Sequence, residues 1–398
     1  MKVLVLAEYY PTAADPSRGV WAHRQALAAR DAGADMRVLV LYRPLPPLSS
    51  LRERDVATAW QALRQPARAE LDGLVVEYVR YLSPPRPWSY GSWGAWAAPA
   101  VARALRRVRQ SFSADLIHAH YAVPAGDAVR RAAPRRPLLI SVHGHDVYGE
   151  LARTPNVRAA LAHADLVLAN SRGTATRSTA HGARETRVVH LGAPLPPAPG
   201  AEPSVPTLVT VGNLVARKRH DDVIGALALL RERWPELRYV VVGDGPERER
   251  LRALVVHHGL QNRVELRGRL AHEHALAAAG TASLFVLPSV DEAFGVAYVE
   301  AMAAGVPAIG CAGEDGPEEI AAAGGGIELV PPQDPRAMAD RIDALLGDPL
   351  RLRALRDAAR ENVARSFTWE RCGRETVRAY EDVLAGGSAR PAPTAPPP

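Results

Sequence analysis

Cysteine, lysine and long apolar runs are what this 398-residue chain has least of. Its two cysteines, Cys311 and Cys372, cannot build a disulfide framework, which favours a reducing compartment. No apolar run reaches the ~18 residues that a membrane-spanning helix needs. The N-terminal MKVLVLAEYYP is too short and wrongly composed for a signal peptide, so a cytoplasmic protein is expected, with the inner face of the membrane as an alternative address. The chain has no CxxC pair, no HExxH helix and no Asp-x-Asp. His118, His120, His143, His145 and Asp146 do fall at His-x-His spacings near strand ends, but the remaining ligands of a zinc set cannot be named, so no metal site is assigned. Of 49 lysine and arginine residues only Lys2 and Lys218 are lysines, which singles out the one lysine that lies deep in the chain.

The charge that is present is modest. A formal +6 and a pI near 9.5 accompany no nucleic-acid-reading motif, so nucleic acid is not expected as a partner. Arginines cluster at 103–109 (RALRRVR) and 130–136 (RRAAPRR), which fits either a solvated helix face or attraction to anionic lipid or a phosphorylated acceptor. Aromatics crowd 88–96 (WSYGSWGAW), with Trp60 upstream. They suit packing under a loop, stacking on an acceptor sugar, or contact with a membrane surface.

With 47% hydrophobic residues the chain can bury two cores. Apolar runs at 2–7, 36–41, 115–119, 138–143 and 165–169 alternate with Ala/Arg-rich helical stretches, the signature of a parallel α/β sheet. After the proline-rich 193–206 the pattern restarts at 207–211, 238–243, 263–266, 284–287 and 306–310. The expected fold class is therefore α/β, with two Rossmann-like domains at 1–192 and 207–366 joined by a 193–206 linker and followed by a disordered tail at 386–398. Such sheets bind ligands at the carboxyl ends of their strands, and two of them facing each other make a cleft.

The segment 284–310 (LFVLPSVDEAFGVAYVEAMAAGVPAIG) reads as strand, loop and helix. Gly295 lies at the helix start, where unpaired amides and the positive dipole end suit a diphosphate. Glu292 stands just before that point and Glu300 about one turn into the helix. Carboxylates only accept hydrogen bonds, so beside a phosphate they grip hydroxyls, and a ligand with hydroxyls on both sides of a diphosphate is a nucleotide sugar. Arg217 and Lys218 in VGNLVARKRH (211–220) follow a strand and precede a helix, so they serve phosphate binding or a surface charge pair. Gly19 closes the first loop ahead of a helix from Val20 to about Ala32, where its small size lets backbone approach a ligand. Gly243 and Gly245 in VGDGPE are turn formers, because the dinucleotide spacing is incomplete.

Five ordered motifs, VGNLVARK (211–218), VVGDGPERERL (241–251), VELRGRL (264–270), the Glu292-x7-Glu300 element and GPEEI (316–320), resemble the GT-B glycosyltransferases of family four, or group 1. IHAHYAVPAG (117–126) and SVHGHD (141–146) resemble the subgroup that builds cell-envelope polysaccharides. The resemblance implies a retaining hexosyltransferase that takes a nucleoside diphosphate sugar to a sugar, lipid-linked or small-molecule hydroxyl acceptor; a UDP-linked donor, metal independence and no other cofactor are the expectations set beside it. It implies that Arg217 and Lys218 hold the diphosphate and Glu300 the ribose. Glu292 and the amides of Phe294, Gly295 and Val296 would hold the transferred sugar and its phosphate. Gly19 would line the donor loop, and His143 would stand at the reacting face. The segment 367–384 would be the family's closing helix. Two departures are Asn213, where relatives carry arginine, and Arg18-Gly19, where they carry paired glycines. A nucleotide-sugar epimerase or hydrolase on the same fold, or a non-catalytic nucleotide-sugar-binding scaffold, is the rival reading.

Overall fold

The computed structural model describes residues 1–45 and 63–386, so Trp60 and the predicted tail beyond Gly386 lie outside the described residues. The chain divides into two compact units. The first comprises Met1–Asn170, Thr174–Val189 and the chain from Cys372 on, and the second Ser171–Gly173 and His190–Arg371.

In the first unit the strands are β1 (Lys2–Ala7), β2 (Asp35–Tyr42), β3 (Arg68–Leu71), β4 (Leu74–Arg80), β5 (Leu116–His120), β6 (Leu138–Ser141), β7 (Leu166–Ala169) and β8 (Thr186–Val188). They form one sheet in the order β3-β4-β2-β1-β5-β6-β7-β8. All pairs are parallel except β3–β4, a hairpin turned by Asp72-Gly73, both at positive φ. The five apolar runs read from the sequence are the cores of β1, β2, β5, β6 and β7, whose side chains are buried on both faces as a helix-covered sheet demands. The hairpin escaped notice although Asp-Gly between alternating residues is its ordinary signal.

The second unit carries β9 (Thr207–Val211), β10 (Arg238–Val242), β11 (Val264–Gly268), β12 (Leu284–Val286), β13 (Ala308–Cys311) and β14 (Ile327–Val330), all parallel, in the order β11-β10-β9-β12-β13-β14. This is the doubly wound order, and its switch point lies between β9 and β12; that of the first sheet lies between β1 and β5. The proline-rich stretch is fastened to the second unit. The Gly200 amide donates to the Ala304 carbonyl at 2.7 Å, and Arg356 donates to the Gly200 carbonyl at 3.1 Å.

The last helix, Trp369–Gly386, belongs to the first unit from Cys372 on. There Gln25 donates to Thr376 at 3.1 Å, and the Tyr380 hydroxyl lies 2.8 Å from His118 Nδ1. The aromatic run 88–96 divides: Tyr90 and Trp93 are core, while Trp88 and Trp96 are exposed. Both cysteines are buried and free.

Gly19 caps the helix Val20–Asp31 in the left-handed region at φ 63°. A Cβ there would lie 2.2 Å from the Tyr9 carbonyl, so the glycine is required by the close approach of two backbone segments after β1. Gly19→Val is expected to cost about 2–4 kcal/mol, visible as a lowered melting temperature; an unchanged melting temperature would contradict this packing.

Candidate active site

In the second unit both loops that leave the switch point carry the predicted residues. After β9 the chain passes Asn213, which is exposed, and makes a single helical turn, Ala216–Lys218, before the helix His220–Leu229. After β12 it runs through Pro288 and Ser289 to Glu292. Gly295 then turns it at φ 81° into the helix Val296–Ala303. The Val290 amide donates to the Arg217 carbonyl at 2.8 Å and joins the two loops.

Lys218 Nζ lies 2.5 Å from Glu292 Oε2, Ser289 Oγ donates to the same oxygen at 2.8 Å, and Arg217 Nη1 stands 3.7 Å from it. Glu292 is 6% exposed. Burial by itself would raise its carboxyl, but the charges of Lys218 and Arg217 and the donated hydrogen bonds outweigh that and hold it below the ordinary carboxylate range. The Glu292 amide donates to Glu314 Oε2 at 2.9 Å, and its carbonyl accepts from the Gly316 amide at 2.9 Å. The GPEEI motif thus backs the Glu292 loop. A Cβ on Gly316 would come within 2.3 Å of the Phe294 carbonyl oxygen.

Phe294 sends its ring into the core, against His190 and Phe367, so only its backbone faces the helix start. The amides of Phe294, Gly295 and Val296 have no hydrogen-bond partner among the described residues, as expected for a first helical turn. Glu300 sits on the same helix, and its carboxylate lies 3.6 Å from His272 Nε2. Ser289 and Glu314 were missed in the sequence: a lone serine and an acidic residue in a later loop carry no local pattern.

In the first unit His143 follows β6. Its Nε2 lies 2.9 Å from His120 Nδ1, the two rings stack at 5.1 Å, and Tyr121 and Trp21 flank it at 5.0 and 6.1 Å. His118, stacked on His120 at 4.6 Å, is held by Ser141 and Tyr380. No group of three His, Cys, Asp or Glu side chains is arranged to hold a metal among the described residues. Asp146 accepts from the amides of Ala122 at 2.7 Å and His143 at 3.2 Å, which ties together the ends of β5 and β6. Burial lowers His118 and His143 to about 3, so both are neutral near pH 7. Gly19 lies in the loop after β1, where Glu8 is buried. Arg18 and Arg86 stand 3.9 Å from the Glu8 carboxylate and over the Tyr9 ring.

Known proteins share this architecture. Residues 196–362 match the family model described as glycosyl transferases group 1, and residues 18–195 match that of glycosyltransferase family 4. A D-inositol 3-phosphate glycosyltransferase of Catenulispora acidiphila is 31% identical over 374 residues, 85% of this chain and 88% of that protein. The glycosyltransferase WcaL of Escherichia coli (strain K12), named for colanic acid biosynthesis, is 30% identical over 289 residues, 68% of this chain and 71% of that protein. Across the curated relatives the matched share of their length runs from 19% to 88%. Among solved structures, Anabaena HepE in complex with UDP and glucose aligns with a TM-score of 0.71 at 22% identity, over 96% of this chain and 99% of that one.

The histidine cluster generates a pH dependence. The folded pKa values of His118, His120 and His143 lie below the unfolded value of 6.5, so the unfolded chain binds more protons. The stability these sites contribute is complete above pH 6.5 and is lost as pH falls toward 3. Asp146 acts oppositely: burial raises it from 3.8 to about 7, so its contribution fades as pH rises through that range. Three histidines outnumber one aspartate. Thermal melts of the first unit's transition should therefore fall on acidification below pH 6.5, and His120→Gln should flatten the slope by up to about one proton. An unaltered slope in that variant would show that His120 is not buried neutral.

Two doubly wound units, two matching family models and relatives at 30–31% identity along most of their length make the assignment: the chain belongs to the group 1, or family 4, glycosyltransferases, which have the GT-B fold and use nucleotide sugars.

Proposed function

We propose that this chain transfers a hexosyl unit from a UDP-linked sugar to a hydroxyl acceptor, with retention of anomeric configuration and without a metal ion, in the synthesis of an envelope or extracellular polysaccharide. The observation that carries the reading is the cluster of Lys218, Arg217 and Glu292 beside the unpaired amides of Phe294, Gly295 and Val296, at the carboxyl ends of β9 and β12. The HepE complex with UDP and glucose supports the choice of donor, and the WcaL relative supports the polysaccharide role.

In this reading the leaving diphosphate meets Lys218, Arg217 and the helix start, while the anomeric carbon gains oxocarbenium character. Cations and amides already in place where negative charge grows lower the barrier without reorganisation. Glu292, ionised and fixed by Ser289, accepts from hydroxyls of the transferred sugar, and Glu300 accepts from the ribose. The diphosphate competes with Glu292 for Lys218, so donor binding lengthens that ion pair. In the first unit Gly19 lines the donor loop. His143, as a neutral imidazole, offers a hydrogen bond rather than a charge. The acceptor is assigned to the first unit, and peripheral contact with the membrane accompanies a lipid-linked acceptor.

Lys218→Ala is expected to lower kcat/KM by about 30- to 1,000-fold, the scale of one lost electrostatic contact of about 2–4 kcal/mol. It should also lose the thermal shift that a UDP-hexose gives the wild type. Undiminished turnover would overturn the assignment of Lys218, and NMR of the product linkage showing inversion would overturn retention.

A further inference from the structure

Between the edge hairpin β3–β4 and the helix Trp93–Arg109 lies a groove of about 720 Å³. Its floor includes the buried side chains of Val79 and Ala104, and its rim carries Arg68, Arg80, Arg103 and Arg107. Arg107 is paired with Glu77 at 2.7 Å, and Arg80 donates to the Gln65 carbonyl at 2.8 Å. Arg68 and Arg103, both exposed, have neither an ion pair nor a side-chain hydrogen bond among the described residues. Four guanidinium groups thus face one carboxylate across an apolar floor.

The helix adds an aromatic. Trp96 is 52% exposed and stands seven residues before Arg103 and eleven before Arg107, so all three share one face, while Ala97, Val101 and Val108 are buried in the core. A soluble anion would be served by the arginines alone. An exposed tryptophan in line with them is the arrangement of a surface that meets the headgroup layer of a bilayer, the ring resting among the headgroups and the cations on lipid phosphates.

We infer that this groove docks the first unit on an anionic membrane, with a lipid phosphate held between Arg68 and Arg103, the adjoining methylenes over Val79 and Ala104, and Trp96 in the headgroup layer. The inference rests on the membrane contact of the proposed function, not on its transfer chemistry.

The test is co-sedimentation of the full chain with vesicles of phosphatidylcholine alone or mixed with phosphatidylglycerol. Binding is expected only to the mixed vesicles and weakens as salt is raised. Arg68→Gln/Arg103→Gln should lower vesicle partitioning by about 25-fold, a factor of about five per cation at an anionic surface. Trp96→Ala should weaken binding at low and high salt alike. The double variant should keep the wild-type melting temperature and its response to UDP-sugar, which separates this result from misfolding and from any failure of the donor assignment. Equal binding to neutral vesicles, or undiminished binding of the double variant, would overturn the inference. So would a thermal shift with inorganic phosphate that the double variant loses while vesicles remain unbound, which would make the groove a site for a soluble anion.

Discussion

The ion pair between Lys218 and Glu292 is the interaction on which the second unit's site depends. Removing two charges from water is costly, and a buried pair persists only where geometry and further hydrogen bonds offset the loss. Here Ser289 and Arg217 share the work on one carboxylate oxygen, and the Glu292 backbone is held on both sides, by Glu314 and by Gly316. The pair therefore does more than neutralise charge. It fixes the loop after β9 against the loop after β12, and the turn at Gly295 sets the first helical amides beside it. Acceptor, cations and unpaired backbone donors thus occupy one small region at the strand ends.

The first unit solves a different electrostatic problem at its own strand ends. Its His143 is flanked by aromatic rings and other imidazoles, and burial keeps these imidazoles neutral. A neutral imidazole offers a hydrogen bond rather than a charge. Its charge sits elsewhere, on Arg18 and Arg86 around Glu8 and on the arginine rim of the edge groove.

Much of the fold was legible because parallel strands covered on both faces must be apolar along their length. β1, β2, β5, β6 and β7 appear as such runs in the first unit, and β9, β10, β12 and β13 in the second. The β3–β4 hairpin was less legible, since an edge pair with one exposed face carries a weaker apolar signal than its Asp-Gly turn. The site was half legible. Lys218 stood out in a chain almost without lysine, and Glu292 and Glu300 by their spacing at a helix start. Ser289 and Glu314 were indistinguishable from ordinary loop residues, because what sets them apart is contact with Glu292, 3 and 22 residues away in the chain.

What the sequence settled by itself was local: where apolar runs alternate with helices, where Gly19 and Gly295 permit the left-handed turn, and which side chains hold charge. Folding alone decided that Lys218 and Glu292, 74 residues apart, meet at 2.5 Å, and that His143 lies within hydrogen-bond distance of His120. It also decided that Arg68 and Arg103 border one groove, whose walls are a hairpin and a helix. Burial and partnership depend on which distant segments converge at a strand end. Strand order, not composition, sets that convergence.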